Sequence, residues 1–134
     1  GKTMFGGMPL TFYSGAAALG GTAESYSVFA EMLLNDGGSL LKPESIALMK
    51  KAYVPISWNE ADSQWWGLGV RVINNDAYVL PKNSYGWSGA YGTHFWVDTE
   101  NKITAVYMKN SYYDGGAGAQ TANWFEEDVM NSLQ

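Results

Sequence analysis

The sequence predicts an α+β domain in which helices pack against an antiparallel sheet, and three stretches carry that expectation. In the first, Tyr26, Phe29, Ala30 and Leu33 recur at the i, i+3, i+4, i+7 spacing of one helical face. In the second, two apolar runs, Thr93 to Val97 and Ile103 to Lys109, are joined by Asp98-Thr99-Glu100-Asn101, turn-favouring residues suited to a hairpin. In the third, Ala122, Phe125, Val129 and Leu133 share a face near the end of the chain that should lie on the sheet.

Taken in order, Gly1 to Gly21 is rich in Gly and Ala without a sustained period and reads as an irregular packed segment. Thr22 is the N-cap of the first helix, with Glu24 in its first turn, and Gly37-Gly38 closes it. A shorter helix starts at Pro43, where proline is tolerated at the first position. It buries Ile46 and Met49, with Tyr53 a candidate, before Pro55 stops it. Ser57 to Gln64 is polar and loop-like, and Trp66 to Ile73 reads as one strand followed by an Asn74-Asn75-Asp76 turn. Tyr78 to Tyr85 is a loop or short edge strand. Ile103 to Lys109 is apolar on both faces, which places it inside a sheet covered by helices on each side. Ser111 to Gly118 is a Tyr/Gly loop of mobile character, and the last helix runs from about Ala119 to Ser132. No repeat of 20 to 50 residues is present.

The 134 residues, 46% hydrophobic and 16% charged, suit a single globular domain with a core. Net charge is −5 and the eight basic residues are scattered, so no basic stripe exists to neutralise a phosphate backbone and nucleic acid is not an expected partner. The apolar runs fall far short of the roughly 20 residues that span a bilayer. Gly1 is not a natural start, so the sequence leaves an upstream leader or domain open. With no cysteine and one histidine, disulfides, thiolate metal sites and histidine-rich metal sites are excluded; neither metal nor cofactor is expected. Aromatic content is 15%, which suits a thick core or a pocket for an apolar or sugar-like group.

Chemistry concentrates in Gly86-Trp87-Ser88-Gly89-Ala90-Tyr91-Gly92-Thr93, which leads straight into His94-Phe95-Trp96-Val97-Asp98. Glycines there let backbone N–H groups approach a ligand closely, while the apolar residues after them read as a buried strand. The run resembles the third active-site motif of the serine β-lactamase and penicillin-binding-protein superfamily, in the form found in class C-related esterases and peptidases. Gly20 to Asn35 is similar to the family's Gly-rich turn and following helix, and Leu40 to Ile46 to the segment opening the next helix.

The resemblance implies that residues 1–134 form one partial domain, the C-terminal portion of a β-lactamase/transpeptidase-like fold. In the intact enzyme a serine of a Ser-x-x-Lys motif attacks an ester or amide carbonyl, assisted by a Tyr-x-Asn tyrosine. Such a serine is a poor nucleophile until a neighbouring base takes its proton. On this resemblance Trp87, Ser88 and Gly89 occupy the substrate-holding tripeptide position, Tyr91 adds to the substrate wall, and the Ala90 N–H becomes an oxyanion-hole donor. Trp87 replaces the family's lysine, which favours esters or apolar acyl groups over penicillins. The implied partners are a small ester or amide substrate and the upstream half of the same hydrolase. The isolated chain is expected to be inactive, an exposed sheet edge would promote a homodimer, and the resemblance leans towards the periplasm or cell exterior. The rival reading is a non-catalytic ligand-binding or interaction module.

Other signals are weaker. Ser39-Leu40-Leu41-Lys42 matches Ser-x-x-Lys literally, but Pro43 biases Lys42 out of helical geometry and Gly37-Gly38 puts Ser39 in a loop. No Tyr-x-Asn occurs in the chain. His94 reads as a half-buried strand residue satisfied by a hydrogen bond, because a general base needs a nucleophile nearby and none is identified. Glu126-Glu127-Asp128 reads as a solvated helix face, Trp65-Trp66 as packing, and Gly115 to Gly118 as a flexible loop without P-loop chemistry.

Overall fold

In the computed structural model, which describes Gly15 and residues 19–57, 62–111, 113–116 and 118–133, two helices precede a six-stranded sheet and a third helix follows it. Most of the segment 1–21, expected to be irregular, lies outside the described residues. The helices are α1 (Ala23–Leu34) and α2 (Pro43–Met49). The strands are β1 (Val54–Pro55), β2 (Gln64–Trp66), β3 (Arg71–Ile73), β4 (Tyr85–Ser88), β5 (His94–Asp98) and β6 (Ile103–Tyr107). Helix α3 (Gln120–Ser132) closes the chain. The sheet order is β1-β2-β3-β4-β5-β6 with every neighbouring pair antiparallel, so each strand simply folds back on the one before it.

Local sequence explains the helix starts. Thr22 accepts a hydrogen bond from the Ser25 N–H at 3.1 Å while the Ser25 hydroxyl accepts from the Thr22 N–H at 3.0 Å, a reciprocal capping box. Pro43 opens α2 as expected, and Lys42 before it is extended. Ser39 and Lys42 are both exposed, on a turn and at a helix cap, with no geometry for joint chemistry. Tyr53 lies beyond α2 and is exposed rather than buried.

Two expectations about strands are corrected. Trp66 to Ile73 is not one strand, because the Gly67 N–H donates to the Val70 carbonyl at 2.8 Å and folds the run into the β2–β3 hairpin. Strand β6 is the edge of the sheet among the described residues, and all five of its positions are half-buried. Its two apolar faces arise because helices cover both sides of the sheet, not because strands flank it on both sides.

On one face Ala30 and Leu33 of α1 and Ile46 of α2 pack with Val70, Val72, Tyr85, Phe95 and Val97. The Tyr85 hydroxyl donates to the Leu33 carbonyl at 2.9 Å, tying α1 to β4, and burial pushes that phenol up to about 12. On the opposite face Ile73, Leu80 and Trp96 meet Phe125, Val129 and Met130 of α3. Because side chains alternate along a strand, Phe95 and Val97 face α1 while His94 and Trp96 face α3. At the β5–β6 turn Asp98 is fully buried and its carboxylate accepts from the Glu100 and Asn101 N–H groups at 2.9 and 3.0 Å.

Gly86 sets how closely β4 and β5 approach. A Cβ there would overlap the Phe95 carbonyl oxygen and lie 2.7 Å from Trp96 Cα, both backbone atoms of the neighbouring strand. Gly86→Val should therefore destabilise the chain by about 3 kcal/mol or more. Gly20→Ala, at a position open to solvent, should change it by less than about 0.5 kcal/mol. Urea unfolding of both variants reads this, and equal midpoints would contradict the strand packing described.

Candidate active site

The motif run occupies the end of β4 and the turn into β5. Trp87 and Ser88 are half-buried at the end of the strand, and the Gly89 N–H donates to the Thr93 carbonyl at 2.7 Å to close the turn. The Gly92 N–H returns to the Gly89 carbonyl at 2.9 Å. Ala90 is exposed at the tip, and its N–H donates to no other described residue. Tyr91 is half-buried, and its carbonyl accepts from the Ser111 N–H at 3.0 Å.

The Tyr/Gly loop is fastened to this turn. The Gly116 N–H donates to the Gly89 carbonyl at 2.8 Å, and a Cβ on Gly115 would overlap the Ala90 carbonyl oxygen. Lys109 reaches Asp114 at 3.2 Å and the Thr121 hydroxyl at 3.1 Å. Asp114 in turn accepts from the Gln120 and Thr121 N–H groups at 2.5 and 3.0 Å, capping α3 from six and seven residues away. The Thr121 hydroxyl hydrogen bond, with those N–H groups, holds its carboxyl well below the usual carboxylate range. The expected mobile loop is thus anchored at both the turn and the helix start.

Beneath Ser88 lies a buried polar network. Its hydroxyl is 2.7 Å from His94 Nδ1 across the β4–β5 pair, and His94 Nε2 is 2.8 Å from Glu126 Oε1 on α3. Arg71 of β3 donates to the same carboxylate oxygen, and the Tyr78 hydroxyl donates to Glu126 Oε2 at 2.7 Å. Arg71 also reaches Gln64 Oε1 and the Tyr78 hydroxyl, each at 3.3 Å. Glu126 has no exposed surface, His94 is 3% exposed and Arg71 7%.

Two of these placements correct the sequence reading. His94 is fully rather than half-buried, and although it is satisfied by hydrogen bonds as expected, a serine hydroxyl is one of its partners. Glu126 is buried, whereas Glu127 and Asp128 are exposed as a solvated face should be. Arg71 and Tyr78 join the site although the sequence alone does not single them out. A signal was present: with Ala122, Phe125 and Val129 set as i, i+3 and i+7, Glu126 fills the i+4 slot of the apolar face. Arg71 likewise interrupts the apolar run Val70 to Ile73.

Burial pushes Glu126 upward, but the His94 hydrogen bond and the Arg71 charge outweigh it and hold the carboxyl below its ordinary 4.5. Burial pushes the Tyr78 phenol up to about 12, with the Arg71 charge pulling the other way. Gln64, Arg71, Tyr78, Trp87, Ser88, Gly118 and Asn123 line a cavity of about 100 Å³. The Trp66 ring sits 4.5 Å from that of Trp87, so one member of the Trp65-Trp66 pair backs a cavity wall. Among the described residues no cluster of His, Cys, Asp or Glu is arranged to hold a metal ion.

The family model for β-lactamase matches residues 2–127. The chain belongs to the β-lactamase family. It is 27% identical over 118 residues to Protein Rv1367c of Mycobacterium tuberculosis strain ATCC 25618 / H37Rv, and equally to the Uncharacterized protein MT1414 of strain CDC 1551 / Oshkosh. Each match takes in 75% of this chain and 29% of the relative. The fold is similar to that of EstCE1, a hydrolase with promiscuous acyltransferase activity, at a TM-score of 0.70 and 26% identity, covering 87% of this chain and 31% of that one. This β-lactamase-family chain therefore spans less than a third of the relatives it matches. The similarity agrees with the antiparallel, helix-covered sheet and with the resemblance read from residues 85–100.

Removing the Glu126 carboxylate leaves Arg71 as a buried unpaired charge, so Glu126→Ala should cost about 3–5 kcal/mol in urea unfolding. Because the folded carboxyl titrates below 4.5, its contribution is complete above that pH and is lost as pH falls further. Tyr78 and Tyr85, raised to about 12, contribute in the opposite sense. Their share is complete below about 10 and is lost as pH rises towards 12. Tyrosinate absorbance should show two phenols ionising only as pH approaches 12; ionisation of every phenol near 10, the ordinary value, would contradict the burial described.

Proposed function

We propose that this chain is the substrate wall and oxyanion-hole element of a serine hydrolase that transfers acyl groups through a serine ester. The observation that carries the reading is that Ala90, an exposed residue at the tip of the turn that follows Trp87-Ser88-Gly89, gives its N–H to no other described residue. A backbone donor held by a fixed turn is suited to a developing oxyanion, a contact worth roughly 3–4 kcal/mol in the transition state. The Gly89 and Gly116 hydrogen bonds hold that turn from two sides.

Trp87 presents an aromatic wall where the family motif has an ammonium, so the proposed substrates are neutral esters with apolar acyl groups. The promiscuous acyltransferase activity of EstCE1 is in keeping with a covalent acyl intermediate. The remainder of the hydrolase supplies the Ser-x-x-Lys nucleophile and the Tyr-x-Asn tyrosine. The exposed Ser39 and Lys42 support no such role.

The test is p-nitrophenyl butyrate hydrolysis by the chain alone and by the chain combined with the rest of its gene product. Sustained turnover only in the combination supports the reading; silence in both would overturn it in favour of a ligand-binding module. In the active combination Gly89→Val, whose Cβ would press on the Thr93 hydroxyl and shift the turn, should lower kcat about 100-fold. Unchanged kcat would remove the turn from the catalytic machinery.

A further inference from the structure

A serine hydroxyl bonded to an imidazole that is itself bonded to a carboxylate has the connectivity of an activated nucleophile. Ser88, His94 and Glu126 form that chain at 2.7 and 2.8 Å, and they come from β4, β5 and α3, regular elements that the two cores hold in place. Glu126 accepts from Arg71 and Tyr78 as well, so its carboxylate is fixed on both oxygens and turned towards His94 Nε2. The Nε2–H is therefore the donor to Glu126. In the neutral ring that leaves Nδ1 bare, and Ser88 must donate its proton there. The Ser88 lone pairs then face the cavity that Ser88 lines.

The same cavity is lined by two side-chain amides. The Gln64 oxygen accepts from Arg71, and Gln64 and Asn123 both line the cavity, Asn123 on the wall contributed by α3. Side-chain amides of this kind stabilise oxyanions. At about 100 Å³ the space admits a short acyl group.

We propose that Ser88 is itself an acyl-accepting nucleophile, with His94 as its base and Glu126 as the positioning residue, reactive towards small activated esters and fluorophosphonates. The Ser88 oxygen bonds to the electrophilic carbon or phosphorus as its proton passes to His94 Nδ1. Glu126 stabilises the imidazolium, and the proton leaves with the departing alcohol or as hydrogen fluoride. An acyl group on Ser88 fills the space beside Nδ1 that a hydrolytic water would need, so reaction stops at one equivalent. This step does not depend on the function proposed above: it occurs within this chain and is read as a covalent adduct rather than as turnover.

The test is fluorophosphonate labelling of the chain alone, followed by intact mass and peptide mapping. One equivalent on Ser88 is expected, none in Ser88→Ala, and a rate about 100-fold lower in His94→Ala that added imidazole restores. His94→Gln serves as the second variant where His94→Ala fails to fold by circular dichroism. Glu126 acts through charge, so Glu126→Gln should slow labelling, and Glu126→Asp, which keeps the charge, should restore part of the rate. The titratable and charged groups around that imidazole are Glu126 from α3, Arg71 from β3, Tyr78 from the β3–β4 loop and Tyr107, its register partner on β6. No label, label on another residue, or Ser88 labelling at an unchanged rate without His94 would overturn the proposal.

Discussion

The side chain on which this structure turns is Glu126. A carboxylate without exposed surface is tolerated only when its charge and its lone pairs are met, and three donors from three parts of the sheet layer meet them. Arg71 brings β3, Tyr78 brings the loop after it, and His94 brings β5. The apolar contacts of Phe125, Val129 and Met130 supply attraction between α3 and the sheet, but such contacts are non-directional and allow the helix to slide. The buried ion pair fixes its register, because displacement by one turn would strand both charges.

The same constraint reaches the motif turn from below. His94 is held on one nitrogen by Glu126, so its other nitrogen meets the Ser88 hydroxyl across the strand pair. From above, the Tyr/Gly loop is fastened to Gly89 and Tyr91 and to the start of α3 through Asp114 and Lys109. The turn bearing Ala90 is therefore clamped between a helix terminus and a buried network. Preorganisation of this kind is what a backbone donor needs if it is to serve a transition state without reorganising.

Much of the architecture is legible in the sequence because it rests on local rules. Thr22 capping, the Pro43 start, the Asp98 turn and the apolar stripe of α3 each follow from chemistry within a few residues. The motif strand is legible through its likeness to a known family. The β2–β3 hairpin escapes a sequence reading because the hydrogen bond from Gly67 to Val70 interrupts an apolar run without a strong turn signal. The network escapes it for a different reason. Arg71, His94 and Glu126 are far apart in sequence, and each has a sensible local reading: a strand charge, a strand histidine, a solvated helix face. Only the antiparallel order of β3, β4 and β5, with α3 laid across them, brings the three side chains together and overturns the solvated reading of Glu126.

The most direct measurement is a double-mutant cycle between Arg71 and Glu126, using Arg71→Met, Glu126→Met and the double variant, each unfolded in urea. If the buried pair governs how α3 sits on the sheet, each single change strands a charge and the double change relieves it. The double variant should then be more stable than the sum of the singles allows by at least about 1 kcal/mol. Additivity within about 0.5 kcal/mol would mean that the two charges do not depend on each other, and would contradict the account.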